Sequence, residues 1–200
     1  MRYFRKNPKY RFIRRALKKR YDKAALADVL RRAESHYTTL AAKCADATPG
    51  EWPHLNNTIL PTAAVYTALL ETDPDNALAI IHGAIIRLCK KGNLLLRGLL
   101  HVPGMKGLFM HLLPKMALGM FGRDCGFDYV HYYADSTRLE MDITRCPYCK
   151  HAALLGVEAL IPTFCGSDFA TYGGLPGIRF ERTSTLGTGG DKCDFRFIRE

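Results

Sequence analysis

The spacing of apolar residues changes near residue 125 of the chain. Before that point apolar residues recur every three or four positions, which is the period of an amphipathic helix. Residues 22–43, which are rich in Ala and Leu, are predicted to form one helix, and residues 60–71, in an apolar run closed by Thr72-Asp73-Pro74, a second. The first 120 residues are therefore predicted to be all-helical.

Proline and glycine set the expected ends of the other helices in this part. Pro74 suits the first turn of a third helix, and Gly92 is a natural place for that helix to stop. Proline does not continue the hydrogen-bond pattern of a helix. Residues 93–120 are therefore predicted to form one or two helices, interrupted at Pro103-Gly104 and Pro114.

Beyond residue 125 the period shortens to two, as in strands with one buried face. Two antiparallel hairpins are predicted, from residues 129–134, 137–143, 177–185 and 193–198. Helical spacing returns between them, over residues 147–155 and 157–172. The predicted fold class is α+β, with a helical N-terminal part packed on a C-terminal antiparallel sheet with two helices.

Composition and charge indicate how the chain is organised. A chain of 200 residues with 48% hydrophobic residues is long enough for one well-buried domain, or for one domain with a helical appendage. The net charge of the chain is +10. Residues 1–32 contain thirteen Lys or Arg and only two acidic residues, so the positive charge is concentrated in this segment. We expect a basic helical segment over residues 1–32 and a single domain over residues 33–200. That domain is expected to be helical over residues 33–124 and to contain the sheet over residues 125–200.

The basic segment has two interpretations. Its charge could bind nucleic acid or an anionic membrane surface. Alternatively, it is a solvated helix face held by apolar residues at helical spacing, namely Phe12, Ile13, Ala16, Leu17 and Tyr21. No aromatic interleaving or known nucleic-acid motif accompanies the charge. Nucleic acid is therefore not expected as a partner, whereas contact with an anionic surface stays open.

Cysteine usage and hydropathy indicate a cellular compartment. The seven cysteines are an odd number, and no apolar segment of signal-peptide length follows the basic N-terminus. A reducing cytoplasm is the expected location. The longest apolar stretch, residues 94–121, is interrupted by charged residues and prolines, so no transmembrane helix is expected.

Four cysteines in the last third of the chain are candidates for chemistry: Cys146, Cys149, Cys165 and Cys193. Together they could hold a metal ion as four thiolates, although a zinc ribbon would have a second closely spaced pair. Cys146 and Cys149 could also form a redox pair, which would need a parallel sheet in place of the predicted antiparallel one. A buried thiol that acts as a small hydrophobic side chain is the third interpretation.

Cys165 and Asp168 lie three positions apart on a predicted helix, so they share one face. Such a pair could act as nucleophile and base, or the carboxylate could activate a water molecule next to the thiol. An Asp beside Ser167 is also an ordinary helix-capping arrangement. Spacing alone leaves these alternatives open.

Arginines and histidines near these residues are candidates for substrate binding. Arg179 and Arg182 have opposite parity on a predicted strand, so they point to opposite faces. Whichever faces inward could hold a carboxylate through two parallel hydrogen bonds. His131 and His151 are the histidines nearest in sequence to the cysteines. The glycine-rich loop at residues 187–190 could bind an anion through its N–H groups, or could close a hairpin.

The order of several short segments resembles the L-2-amino-thiazoline-4-carboxylic acid hydrolase family. The segments that carry the resemblance are Cys146 and residues 156–160, 164–168, 176–186 and 189–197. The resemblance covers most of residues 50–200 and is most specific over residues 146–200. A looser similarity, in the Gly-x-x-x-Cys-x-Phe ending, connects the chain with the vinyl-reductase-like domains that bind small molecules.

The resemblance implies a hydrolase acting on carbon–nitrogen bonds of a cyclic amidine, opening L-2-amino-thiazoline-4-carboxylate or a similar ring to N-carbamoyl-L-cysteine. Carbon 2 of this ring is electrophilic, so it needs a nucleophile or activated water, a proton donor, and a cation for the carboxylate. The catalytic candidates are Cys165 as nucleophile or polarising thiol, Asp168 as base, and Cys146 and Cys193 as proton donors or site walls. The substrate-binding candidates are Arg182, which would hold the carboxylate, with Arg179 and His131.

No cofactor is expected, and a metal held by Cys146, Cys149, Cys165 and Cys193 is the minority alternative. The alternative function belongs to a different class. It is a non-catalytic small-molecule-binding module, with a cysteine-lined pocket and a basic helix that contacts a partner or a membrane.

Overall fold

The computed structural model of the protein describes residues 7–200. The chain forms two compact units: unit 1 is Met1–Leu88 with Tyr148–Thr163, and unit 2 is Cys89–Pro147 with Phe164–Glu200. The domain boundary expected at residue 32 stays a prediction. The first six residues of the basic segment lie outside the described residues.

Helices account for most of the described chain before the sheet begins. The α-helices are α1 Pro8–Leu17, α2 Lys23–Lys43, α3 Trp52–His54, α4 Leu60–Thr72, α5 Pro74–Leu100, α6 Met105–Phe121, α7 Pro147–Leu155 and α8 Ile161–Tyr172. A π-helical segment, Leu55–Ile59, joins α3 to α4. The two long helices predicted first are confirmed, and the Asp22 side chain caps α2 by accepting a hydrogen bond from the Ala25 N–H at 2.8 Å.

Two expected helix ends are wrong. Gly92 does not stop α5, which continues to Leu100 because Leu96 and Leu100 pack into the core of unit 2. That packing outweighs the cost of a glycine inside a helix, about 1 kcal/mol. Pro114 lies inside α6 without interrupting it, between the buried Leu113 and the partly buried Ala117. The break at Pro103-Gly104 is confirmed, and Gly104 has the positive φ of 83° that favours glycine.

Unit 1 has a helical core built on α4. Nine of the ten residues 60–69 of α4 are buried, including Ala63, Ala64 and Leu69, so this part of the helix is buried on all sides. From the basic helix α1, Ile13 and Leu17 are fully buried. The basic helix is thus held by apolar side chains at helical spacing, and its contact with an anionic surface stays a prediction.

Within residues 7–200, four strands form one antiparallel sheet with the order β1-β2-β4-β3. The strands are β1 Asp128–Ala134, β2 Arg138–Arg145, β3 Ile178–Glu181 and β4 Cys193–Arg199. Both predicted hairpins are present, and the α+β fold class is confirmed. β3 is shorter than predicted because the Asp194 carboxylate accepts hydrogen bonds from the N–H groups of Thr183 and Ser184 at 3.0 and 2.7 Å.

The sheet has one apolar and one charged face. On the apolar face, Leu139 of β2, Phe180 of β3 and Phe197 of β4 join a cluster that also contains Met110 and Leu113 of α6. Helix α8 packs on the same face through aromatic contacts, with the Tyr172 ring centroid 5.1 Å from that of Phe197. The charged face carries alternate residues of the same strands, as the pleat of a strand requires.

No helix in the described part of the chain is long and apolar enough to cross a membrane.

Candidate active site

Asp168 and Arg182 form an ion pair on the apolar face of the sheet. Asp168 lies on α8 and Arg182 directly follows β3. Nη1 of Arg182 donates to Oδ2 of Asp168 at 2.5 Å, and Nη2 donates to the backbone carbonyl of Cys165 at 2.9 Å. The guanidinium therefore binds one full turn of α8, and its planar fork is what allows both contacts.

The Arg182 side chain is 5% exposed. Its guanidinium carbon lies 5.0 Å from the centroid of the Phe169 ring and 5.4 Å from that of Phe195. Its Nε is buried and has no hydrogen-bond partner among residues 7–200. A buried donor without a partner costs about 1–3 kcal/mol, so an acceptor group that reached this N–H would bind there favourably.

A pocket of about 50 Å³ opens beside Asp168. Asp168 and Tyr172 supply its polar groups among the described lining residues. The other lining residues are Leu113, Met116, Ala117, Met120, Phe121, Leu139, Met141, Ile143, Phe195 and Phe197. Burial, and then the charge of Asp168, raise the pKa of Tyr172, so its phenol stays protonated and can donate a hydrogen bond.

Two of the candidate cysteines, Cys165 and Cys193, are close in sequence to residues that line this pocket. Cys165 is half-buried, one turn before Asp168 on α8. Cys193 begins β4 and is buried on the strand face that also carries Phe195 and Phe197. Its sulfur accepts a hydrogen bond from the Leu186 N–H at 3.3 Å. Neither thiol is among the residues that line the pocket.

Cys146 and Cys149 flank the start of α7, and both are half-buried. No three His, Cys, Asp or Glu side chains of residues 7–200 are grouped as metal ligands would be. The expectation that the reaction needs no cofactor stays a prediction.

The structure separates Arg179 and His131 from the pocket. Arg179 is 47% exposed and forms ion pairs with Glu181 and Glu200, while its neighbours Ile178 and Phe180 are buried on the apolar face. His131 pairs in register with Asp142 on the charged face. Of the two arginines predicted to point to opposite faces, Arg182 is the inward one.

A comparison with known protein families finds the same family that the short C-terminal segments of the sequence resemble. Residues 53–197 match the family described as L-2-amino-thiazoline-4-carboxylic acid hydrolase. The chain belongs to this family. A search of the curated proteins and a search of the solved structures returned no match. Every residue that lines the pocket, and Arg182, lies inside the matched range of this hydrolase family.

A second polar cluster of this family member lies in unit 1. Sγ of Cys44 is 3.8 Å from Nδ1 of His151, and Nε2 of His151 is 3.4 Å from Oε1 of Glu51, which is long for a hydrogen bond. Lys150 donates to the same Glu51 oxygen at 2.8 Å. The Cys44, His151 and Glu51 side chains are almost completely buried. The order of the groups is that of a thiol, a base and an orienting carboxylate.

The protonation states of this cluster do not favour a nucleophile. Burial, and then the charge of Glu51, raise the pKa of Cys44, so its thiol stays protonated. Burial lowers the pKa of His151 more than Glu51 raises it. A reactive cysteine needs a thiolate, normally next to a cation, and here the thiol and the imidazole are both neutral. We interpret the cluster as structural.

Sequence reasoning missed Cys44 and Glu51, although His151 was a candidate. Cys44 and His151 are 107 positions apart, and nothing local links them. The signal that could have been used is Thr48-Pro49-Gly50-Glu51, the spacing of a capping box. The structure contains both of its hydrogen bonds, because the Thr48 N–H donates to the Glu51 carboxylate and the Glu51 N–H donates to the Thr48 hydroxyl.

Proposed function

We propose that the protein opens a small cyclic amidine such as L-2-amino-thiazoline-4-carboxylate, at the pocket beside Asp168. Membership of the family indicates a hydrolase. The observation that carries the proposal is a carboxylate and a phenol in an otherwise apolar lining, with the carboxylate bound to a buried guanidinium that has an unpaired N–H. Charged groups act strongly on a ligand where apolar side chains exclude water.

The charges of this pair complement those of the proposed substrate. A protonated 2-aminothiazoline ring carries an amidinium at one end and a carboxylate at the other. Asp168 would accept hydrogen bonds from the amidinium. Arg182 is buried outside the pocket lining, so its unpaired Nε would donate to the carboxylate only after neighbouring side chains move. Arg182 already holds Asp168 in place, so this carboxylate is positioned before the substrate binds.

The hydrolysis balances with water as the co-substrate. Asp168 takes a proton from water as the oxygen attacks carbon 2, which adds water across the C=N bond. The bond from carbon 2 to the ring sulfur then breaks, and the sulfur receives a proton. The product is N-carbamoyl-L-cysteine. The bond that is broken is therefore carbon–sulfur, although the addition takes place at the carbon–nitrogen double bond.

A covalent route through Cys165 gives the same product. Its thiolate would attack carbon 2, the ring carbon–sulfur bond would break, and water would then release the product and restore the thiol. The half-buried position of Cys165, one turn from Asp168, supports this as the second form of the mechanism. Loss of the thiol distinguishes the two routes, since water attack directed by Asp168 does not need it.

The pocket is small for a substituted five-membered ring. Ligand pockets are commonly about 300–1,000 Å³, whereas this one is about 50 Å³. Met116 and Met120 line it and are about half exposed. Methionine side chains are flexible and adapt to a ligand more readily than branched ones. We infer that these two side chains move when the substrate enters.

The test is direct assay of the purified, reduced protein. It is incubated with L-2-amino-thiazoline-4-carboxylate, and N-carbamoyl-L-cysteine is followed by mass spectrometry. Asp168→Asn is expected to lower turnover by at least ~100-fold, the scale of general acid–base catalysis. A similar loss in Cys165→Ala would favour the covalent route, and near-normal turnover would favour direct attack by water.

Matched controls are available in the same unit. Asp191→Asn changes an exposed carboxylate, and Cys125→Ala removes a thiol outside the pocket lining. Both are expected to keep turnover within about twofold of the unchanged protein, since neither side chain lies at the site. Full activity in Asp168→Asn would refute the assignment of the base.

A binding module without catalysis is the second candidate. It is favoured by the apolar lining, and by the fact that Asp168 and Arg182 neutralise each other. No turnover of any cyclic amidine, together with a ligand-dependent rise in Tm that Asp168→Asn abolishes, would support the module over the enzyme.

A further inference from the structure

The last three turns of α5 and the outward side of α6 form an exposed apolar surface in unit 2. We call it the α5–α6 outer face. Its large apolar side chains are Leu94, Leu95, Leu99, Val102, Leu108, Leu112 and Leu118. Single exposed leucines are common on protein surfaces, but a cluster of this kind marks an interaction site.

Helix α6 is apolar on both sides. Met110, Leu113 and Ala117 face the core cluster at helical spacing. Leu108 and Leu112 are exposed, and they lie on the opposite side of the helix. An ordinary surface helix has one apolar stripe and one polar side, so the outward side of α6 is the unusual one.

The end of α5 repeats this arrangement. Leu96 and Leu100 pack into the core of unit 2. Leu94 and Leu95 point outward and are 68% and 77% exposed, and Leu99 is also exposed. The turn between the two helices adds the exposed Val102. Exposed apolar residues therefore follow one another along the chain, from the end of α5 through the turn to α6.

The charge on this part of the chain has a single sign. No Asp or Glu occurs between Asp75 and Asp124. Lys90, Lys91, Arg97 and Lys115 are all exposed in this interval. Lysine and arginine have long apolar stems, so they can cover an apolar surface and keep their charged ends at its margin.

The exposed leucines and the positive charge together limit which partner can cover the α5–α6 outer face. A second copy of the chain bound through a two-fold axis would place the same patch against itself, and so cations against cations. A bilayer that contains anionic lipids complements both properties, since leucines enter the headgroup region and lysines meet the lipid phosphates. We propose that the α5–α6 outer face binds an anionic membrane surface.

The test is sedimentation of the full chain with vesicles. One set is phosphatidylcholine alone, and the other is phosphatidylcholine mixed with phosphatidylglycerol. Binding is expected to the second set and to weaken as salt is added, because salt screens the lysines. The paired change Leu94→Glu with Leu95→Glu is expected to lower affinity at least ~10-fold, since it puts carboxylates into the apolar part of the contact.

Two controls separate this proposal from its rivals. Val130→Glu with Leu154→Glu adds the same two charges at residues of β1 and α7 that are 76% and 50% exposed, and it is expected to leave vesicle binding unchanged. Arg14→Gln with Arg15→Gln lowers the charge of α1, and it tests whether the basic segment is the site of contact. Circular dichroism checks that each variant is folded.

Selective loss of vesicle binding in the variant with Leu94→Glu and Leu95→Glu supports the proposal. Unchanged binding in that variant overturns it, as does a loss confined to the α1 variant. Absence of vesicle binding overturns it too, and if gel filtration then shows a dimer that the leucine variant converts to a monomer, a second copy covers the face.

Discussion

Arg182 combines three kinds of interaction in one side chain. It forms a charge-assisted hydrogen bond to Asp168, donates to the Cys165 carbonyl, and stacks on the rings of Phe169 and Phe195. A buried charge is costly unless it is paired and hydrogen-bonded. The Asp168 carboxylate offsets that cost, so each member of the pair makes the burial of the other possible.

The first residue-scale prediction is that Arg182→Lys destabilises the fold. A lysine ammonium has no planar fork, so it does not reach Asp168 and the Cys165 carbonyl together or stack on the rings. We expect a loss of about 1–3 kcal/mol in the free energy of unfolding, measured by urea denaturation. Arg179→Lys, on the charged face, is the control and is expected to change stability by less than about 0.5 kcal/mol. Equal urea midpoints for the two variants would contradict the structural role given to Arg182.

The candidate site was only partly predictable from single residues. Cys165 and Asp168 share a helical face by spacing, which is local, and the structure places them within one turn. Parity along the strand predicted that Arg179 and Arg182 face opposite sides, but that Arg182 is the one that contacts α8 depends on how α8 packs on the sheet. Such contacts join residues far apart in the chain, and no local pattern records them.

At the scale of elements, the hairpins and most helices were predictable, and two helix ends were not. The alternation that gives β1, β2 and β4 is a property of neighbouring residues. The ends of α5 and α6 are decided by core packing, which carries α5 through Gly92 and α6 through Pro114. Local propensity is a small term, and packing against another element overrides it.

The element-scale prediction concerns the end of β3. The Asp194 carboxylate accepts from the Thr183 N–H, the Thr183 hydroxyl and the Ser184 N–H, which holds residues 183–184 out of the sheet. Asp194→Ala removes all three acceptor contacts, and we expect a loss of about 1–3 kcal/mol in the free energy of unfolding. Asp191→Ala, an exposed change in the same loop, serves as the reference. Chemical denaturation of both variants checks the difference, and an equal effect would show that the Asp194 contacts do not stabilise the loop.

At the scale of the whole molecule, the buried cluster of unit 1 couples stability to pH. His151 is packed against Cys44 and Glu51, with Lys150 bound to the same carboxylate. Burial lowers the pKa of His151, and the neighbouring Glu51 only partly opposes this. An unfolded chain has no such environment, so its histidine titrates near pH 6.5. Between that value and the lower folded pKa, the unfolded chain binds more protons than the folded one.

The stability of the chain is therefore expected to fall as the pH drops below about 6.5. The sign follows from the lowered pKa: neutral His151 is compatible with the fold, and acid favours the unfolded chain because that chain accepts the proton more readily. The Glu51 carboxylate also has a lowered pKa, and its contribution is lost in a lower range, below about pH 4.5. Urea midpoints measured from pH 7.5 to pH 5 report on His151, because this range stays above the one in which Glu51 is protonated.

His151→Gln isolates the histidine in this measurement, because glutamine has the same charge at every pH. The variant is expected to be less stable than the unchanged protein at pH 7.5, since a packed ring is lost, and to lose less stability between pH 6.5 and pH 5. His111→Gln, at an exposed position on α6, is the control and should leave the pH dependence as it is. If the slope with pH were the same in all three proteins, His151 would not be the group that takes up the proton on unfolding. A flattened slope confined to His151→Gln would place the acid sensitivity of the fold in the cluster with Cys44 and Glu51.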